Sequence, residues 1–244
     1  MEELDTKKYA GIDLGKTSVQ FSIYREGQEE MSEESFPIAK EQQEAYIETG
    51  IHLVEEYMKE KEYQWSDYQA VHFSMQDPSE ENRDKLKESV SEEFLKFHTV
   101  KVITHFRAFA EYVFHQERIM WDRNTLLLDY HDNQLSYVLI DQIRRSRQKA
   151  YRAVEKQIDL NEYRVVEGTP EQDANFGQMV KRFLVKNPAN IIFLTGSGFE
   201  GNWMKKTLTY LCAGRRVFLG QNLYANGACL LGIHLMKPNG DVRL

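Results

Sequence analysis

The sequence predicts an α/β chain made of two lobes built alike, and three observations carry that expectation. Residues 8–24, KYAGIDLGKTSVQFSIY, read as a strand, a tight turn and a second strand: Tyr9–Ile12 is apolar, and Val19, Phe21 and Ile23 alternate with polar neighbours at period two. The same unit recurs at 124–140, NTLLLDYHDNQLSYVLI, where Asp129 falls on Asp13 and the flanking strands match in pattern. After each unit, apolar stretches of strand length alternate with stretches of helical spacing. The lobes are expected at 1–120 and 121–244.

Bulk composition sets the bounds. The 244 residues are 41% hydrophobic and 12% aromatic with 5 Pro, enough to bury a real core as one large domain or two small lobes. There is no run of roughly 18 apolar residues, and the N-terminus is acidic, so neither a membrane span nor a secretory signal is expected. Cys212 and Cys229 make no CxxC or metal spacing and read as small core residues in a reducing compartment, which makes the cytoplasm the expected location. The net charge of −7 is unevenly spread. Residues 1–120 hold 14 Lys+Arg against 26 Asp+Glu, a balance of −12, and residues 121–244 hold 17 against 12, a balance of +5. Opposite signs on two halves steer one lobe toward another, within a molecule or between molecules, or are simply solvated helix faces.

In the first unit, Asp13 stands at the entrance of the turn, Gly15 and Lys16 within it and Thr17 at its exit. Glycine tolerates backbone angles that other residues avoid, so the turn can aim consecutive N–H groups at one point. A phosphate fits there, with Lys16 to neutralise it and Asp13 to hold a hydrated Mg²⁺ beside it. The same residues also read as an ordinary hairpin turn. Glu-rich 25–35 is expected as a loop, and 40–60 as an amphipathic helix bearing Ala45, Tyr46, Ile51, Leu53, Val54, Tyr57 and Met58. Tyr68–Met75 reads as a buried strand. Asp77-Pro78-Ser79-Glu80 then spells a helix start, with Asp77 as the cap and Pro78 at the first position. Asp77 also stands just past a strand end, where a catalytic base can sit. That helix runs to about Lys96, the strand Val100–Ile103 follows, and a second helix begins near Phe106.

In the second half, 141–156, DQIRRSRQKAYRAVEK, is helical in composition and strongly basic. Arg144, Arg145, Arg147, Lys149, Arg152 and Lys156 offer a cationic face for phosphate or an acidic partner, or a merely solvated one. No recognised nucleic-acid motif accompanies them, so nucleic acid is not expected as a partner. A polar connection with Gly168 and Pro170 precedes a helix at Asp173–Leu184. IIFLTGSGFEGNWMKKTLTYL gives a buried strand, a glycine turn and a helix. Gly196 and Gly198 leave backbone room for a planar or phosphate ligand at a helix N-terminus, although such turns also join strand to helix without a ligand. Val217–Leu219 and a small-residue helix at Leu223–Leu235 close the chain, and KPNGDVRL follows where a longer relative can continue. His52, His72, His98, His115 and His234 show no ligand spacing and read as structural or surface residues.

Order and spacing together give the chain a resemblance to the actin, sugar-kinase and DnaK-type chaperone ATPase superfamily. GIDLGKTSVQFSIY resembles that superfamily's first phosphate loop, and AVHFSMQDPSEENRDKLKESV the strand and helix after it. VITHFRAFAEYV resembles the first connecting helix, and TLLLDYHDNQLSYVLI the second phosphate loop. IIFLTGSGFEGNW resembles the adenosine loop and YANGACLLG the second connecting helix, so nearly the whole chain is covered. The resemblance implies two ribonuclease-H-like lobes, each a mixed central sheet flanked by helices, with ATP and Mg²⁺ held between them. Asp13, Gly15, Lys16, Thr17, Gly196 and Gly198 are then the nucleotide-binding candidates, and Asp13 and Asp129 the candidate Mg²⁺ ligands; no catalytic residue is assigned.

The departures from the pattern bear on function. The second phosphate loop of the superfamily has several glycines after its acid, whereas Asp129 is followed by Tyr130, His131, Asp132 and Asn133. Side chains there crowd a phosphate, and Asp132 repels one. The first connecting helix usually opens with Glu or Gln near the attacking water, and here it has His105. The outer subdomains are short. One expectation is therefore a scaffold or regulator with weak or no ATP hydrolysis, working through protein contacts, self-association among them. The alternative is a small kinase in the manner of the compact type III pantothenate kinases. Radical-enzyme activators of the same superfamily need a cluster-binding cysteine pair that Cys212 and Cys229 do not supply.

Overall fold

In the computed structural model, which describes residues 6–121, 123–131, 133–145 and 148–236 and only the backbone for those between 142 and 151, two five-stranded sheets carry the fold. By contact the chain falls into two units, one holding residues up to His115 together with those from Asn222 onward, the other Gln116–Gln221. Asp132, Arg147 and the closing KPNGDVRL lie outside the described residues.

The first unit contains β1 (Lys8–Leu14), β2 (Ser18–Arg25), β3 (Ser32–Pro37), α1 (Tyr46–Glu60), β4 (Tyr68–Met75), α2 (Glu80–Ser89), α3 (Glu92–Phe97), β5 (Val102–Thr104) and α4 (His105–His115). Its sheet order is β3-β2-β1-β4-β5. The hairpin strands pair antiparallel and β4 and β5 add parallel, so the sheet is mixed. Period two sorts β1 cleanly. Ala10, Ile12 and Leu14 join Ile47, Ile51, Val54 and Met58 of α1 in one core. Tyr9 and Gly11 face the other way, toward α7 (Leu223–Met236), which returns from the far end of the chain. A Cβ on Gly11 would stand 1.9 Å from the Ala225 carbonyl oxygen, so the helix lies directly on the strand and only glycine admits it. Gly227 does the same against α4, where an added Cβ would stand 1.9 Å from the Ala108 oxygen.

The second unit repeats the plan with β6 (Thr125–His131), β7 (Gln134–Arg145), β8 (Gln148–Asp159), α5 (Gln172–Lys186), β9 (Ile191–Thr195), α6 (Lys205–Cys212) and β10 (Arg216–Leu219). Its order, β10-β9-β6-β7-β8, is the first sheet read from the other edge. A central hairpin strand again pairs antiparallel with its successor and parallel with the strand beyond the helix. Leu126, Leu128 and Tyr130 of β6 pack with Phe176, Met179, Val180 and Leu184 of α5. Two mixed sheets flanked by helices, each opened by a hairpin with an acid at the end of its first strand, are the predicted α/β architecture.

Local expectations need five corrections. Among the described residues, 141–145 and 148–156 are not helical but belong to the paired strands β7 and β8, with Ile140 opposite Ala153 and Leu139 opposite Val154. Val154 and Ile158 stand four apart, a spacing that fits a helix face and a strand face alike, and cross-strand pairing decides between them. The Glu-rich stretch is not all loop, since β3 runs through Glu33 and Glu34. Ser79, not Asp77, caps α2, its Oγ accepting the Asn82 N–H at 3.3 Å; Asp77 offers only its carbonyl, to the Asn82 side chain. The helix expected to reach Lys96 is broken at Val90 and restarted by the Ser91 cap. Cys212 is exposed rather than core, while Cys229 is buried and donates its S–H to the Tyr9 carbonyl, burial pushing its pKa up to about 12. Among the described residues no helix is long and apolar enough to cross a membrane.

Candidate functional site

The alternation that turns Gly11 toward α7 carries Asp13, two residues on, to the same face of the first sheet. Parallel pairing sets Ser74 of β4 opposite it. Asp13 is only 5% exposed, and such a carboxylate needs donors. It has two, both on Oδ1: the Ser74 hydroxyl at 2.8 Å and the His105 Nε2 at 2.7 Å. An ionised carboxylate only accepts, so Nε2 carries the proton and donates it. The first residue of α4 thus closes onto the acid, and Tyr224 of α7 holds the imidazole in place by stacking at 3.8 Å between centroids and 9° between planes.

The turn itself is built otherwise than its sequence suggests. Gly15 has no left-handed φ, and its N–H is engaged by the Ser18 carbonyl at 3.1 Å rather than aimed outward. Glycine is needed for room, because a Cβ would meet that oxygen at 2.9 Å. The Thr17 carbonyl accepts the N–H of Ile38 at 2.9 Å, and Lys16 is exposed at the tip. Asp13, Gly15, Lys16 and Thr17 are therefore one neighbourhood.

In the second unit, Asp129 ends β6 much as Asp13 ends β1, with Ser136 and Thr195 as its register partners. It is 6% exposed and its Oδ1 lies 2.9 Å from Nε2 of His131. The other ring nitrogen, Nδ1, lies 3.2 Å from the Ser197 hydroxyl and accepts the Ser197 N–H at 3.5 Å. His131 therefore clips the acid of the hairpin to the turn after β9. Tyr130 turns its ring away from Asp129, since period two carries it to the opposite face, where it is fully buried. It stacks on Phe176 at 6.1 Å and meets Phe199 and Trp203 edge-on.

Tyr130 also accounts for both glycines of the turn. At Gly198 an added Cβ would stand 2.3 Å from the phenol ring. Gly196 has φ of 101°, and its Cβ would meet the Tyr130 carbonyl at 2.3 Å and Asp129 Oδ1 at 2.8 Å. The structure thus gathers Asp129, Gly196 and Gly198 in one place, with internal packing as the visible reason for the glycines. Sequence reasoning passed over Ser74, Tyr224, Ser197 and the clip made by His131. Only Ser74 had a signal, its parity along β4; the others depend on which loops and helices meet.

Each unit thus presents a hairpin acid held by an imidazole. An ion of Mg²⁺ type asks for oxygen ligands in a near-octahedral, largely hydrated shell, whereas Asp13 accepts a hydrogen bond from the His105 nitrogen and Asp129 has the His131 ring 2.9 Å away. Each acid would have to share its carboxylate between the imidazole and a hydrated ion.

The architecture is that of the actin-like ATPase and sugar-kinase fold. A hexokinase of the ROK class from Thermus thermophilus superposes with a TM-score of 0.50 at 13% identity, over 95% of this chain and 100% of that one. The activator of the 2-hydroxyisocaproyl-CoA dehydratase from Clostridium difficile, solved with ADPNP, gives 0.56 at 10% identity, over 97% of this chain and 100% of that one. The inorganic polyphosphate/ATP-glucomannokinase from Arthrobacter sp. strain KM gives 0.57 at 12% identity, over 96% and 100%. In sequence, residues 22–241 match the model for the C-terminal part of a family of unknown function, DUF5716, and the chain belongs to that family. No curated protein matches it.

Proposed function

We propose that this chain is a scaffold or regulatory member of its fold, acting in the cytoplasm through protein contacts and turning nucleotide over slowly or not at all. The observation that carries this reading is the pair of carboxylate–imidazole contacts, Asp13 with His105 and Asp129 with His131. Phosphoryl transfer depends on metal and donors placed around the transferring group. Here the two acids that would organise a metal are engaged, and one of the hairpin N–H groups that would face a phosphate is spent on the turn itself. The acidic first half and basic second half support contact with a further copy or another charged protein.

A second reading, a compact ATP-dependent phosphotransferase, is favoured by the first hairpin, where Lys16 is exposed beside Asp13, and by the kinases among the structural neighbours. Titration calorimetry with Mg-ATP, run with a phosphate-release assay on wild type, Asp13→Ala and His105→Gln, separates the two. The scaffold reading expects no phosphate release above background from wild type. Release that Asp13→Ala abolishes would replace it with the enzyme.

A further inference from the structure

From the convergence of Glu111, His115 and His234 we propose a transition-metal site, of the kind that takes Zn²⁺, stapling α4 to α7. The two helices run parallel with a fixed offset. Gly227 sits against Ala108, and seven residues on in each, about two turns, His234 meets His115 with ring centroids 5.9 Å apart. Because glycine brings the backbones together at the first contact, long side chains from both helices reach a common point at the second. Glu111, one turn before His115 on the same face, supplies the third group.

The chemistry of the cluster is that of a ligand set. Glu111 has no exposure at all, while both histidines keep 20% of their side chains accessible, so an ion has a way in. One ligand atom from each of the three lies within 4.8 Å of the other two. Metal–ligand bonds of about 2.0–2.2 Å require those atoms somewhat closer, a change that side-chain rotation supplies. Arg107 engages Oε1 of the carboxylate, and Oε2 is turned to the imidazoles, 3.4 Å from His234 Nδ1 and 3.8 Å from His115 Nδ1. His115 Nδ1 also donates to the Glu111 carbonyl at 2.8 Å, so an ion taken by that nitrogen displaces the bond, and one taken by Nε2 keeps it as the contact that fixes the ring. Two imidazoles and one carboxylate suit Zn²⁺, Co²⁺ or Ni²⁺ and leave a fourth position for water, whereas Mg²⁺ and Ca²⁺ prefer oxygen alone. Linear spacing hid the set, because His234 stands 123 positions from Glu111.

The competing account is an ion-pair network of Arg107, Glu111 and the two histidines that binds no metal. The test uses the full chain, stripped with chelator and titrated with Zn²⁺ against a chromogenic competitor, then with Co²⁺ followed by its visible absorption. One equivalent is expected to bind, with the bands of a four-coordinate cobalt site and a rise in Tm of a few degrees. His234→Gln should weaken binding at least about tenfold, and the His115→Gln/His234→Gln pair should abolish the cobalt spectrum. Glu111→Gln risks misfolding because its carboxylate is buried against Arg107, so the histidine variants, checked by circular dichroism, bear the weight. Equal Zn²⁺ affinity in wild type and the folded double variant, or no stoichiometric binding by wild type, would overturn the proposal.

Discussion

A methyl group on residue 198 would have to share space with the phenol of Tyr130, which is itself enclosed by Phe176, Phe199 and Trp203. None of those rings can step aside without disturbing another, so the clash is not relieved by rotating one flexible end. Gly198→Ala should therefore destabilise the chain by about 3 kcal/mol or more, read from the urea midpoint. The same substitution combined with Tyr130→Leu should recover part of the loss, because the smaller side chain vacates the space. A neutral Gly198→Ala would mean that the ring does not sit there. The comparison also distinguishes packing from ligand room, since a glycine kept open for a ligand would tolerate alanine in the ligand-free protein. Tyr130 was visible in the sequence as an obstacle in a glycine loop. Its true direction follows from strand parity, which turns it away from Asp129 and into the core.

Between elements, α5 supplies what α6 lacks. α6 has no cap from its own N-terminal residue. Asp173, in the first turn of α5, accepts the N–H of Lys206 at 2.8 Å, the N–H of Thr207 at 2.9 Å and the Thr207 hydroxyl at 2.7 Å. Partial burial alone would raise its pKa. The bonds from Thr207 and the two amides outweigh that and hold it below its usual 3.8. A carboxylate whose folded pKa is depressed contributes stability above its unfolded pKa and loses it as pH falls through the folded one. Asp173→Ala should thus cost about 1–2 kcal/mol at neutral pH. Its urea midpoint should approach that of wild type as both are acidified below the carboxylate range. An unchanged midpoint at neutral pH would show that the helix start is held by other means. The helices α5 and α6 were both legible from apolar spacing, but the cap was not, because its donor and acceptor are 34 residues apart.

At the scale of the molecule, the first unit should be acid-sensitive through His72, on the face of β4 that α7 covers. It is 2% exposed and neither ring nitrogen has a hydrogen-bond partner among the described residues. A Cβ on Gly232 would come within 3.0 Å of the ring. Burial, reinforced by the charges of Lys101 and His98, pushes its pKa down to about 4 from 6.5. Between those two values the unfolded chain binds the proton that the folded one refuses, so stability falls as pH drops from 6.5 toward 4. The loss should reach about 2 kcal/mol by pH 5. Replacing His72 with Leu should flatten the profile in that window, as read from thermal melts across it. If the variant keeps the wild-type slope, the titrating group lies elsewhere.

Taken alone, the amino-acid order determined the strand–turn–strand unit, its recurrence and hence the pair of similar sheets, because period-two alternation and turn chemistry are local properties of neighbouring residues. It also located Asp13 and Asp129 at the ends of their strands and flagged His105 as unlike its counterpart. Only the tertiary structure decided what those groups do. His105 reaches Asp13 across 92 positions, and His131 meets Ser197 across 66. Residues 141–145 and 148–156 took their strand form from pairing that overrode a helical composition. The physical reason is common to all three cases: hydrogen bonding and close packing act through space, and which distant residues share that space is settled when glycines such as Gly11 and Gly227 let one helix lie against a strand and another helix.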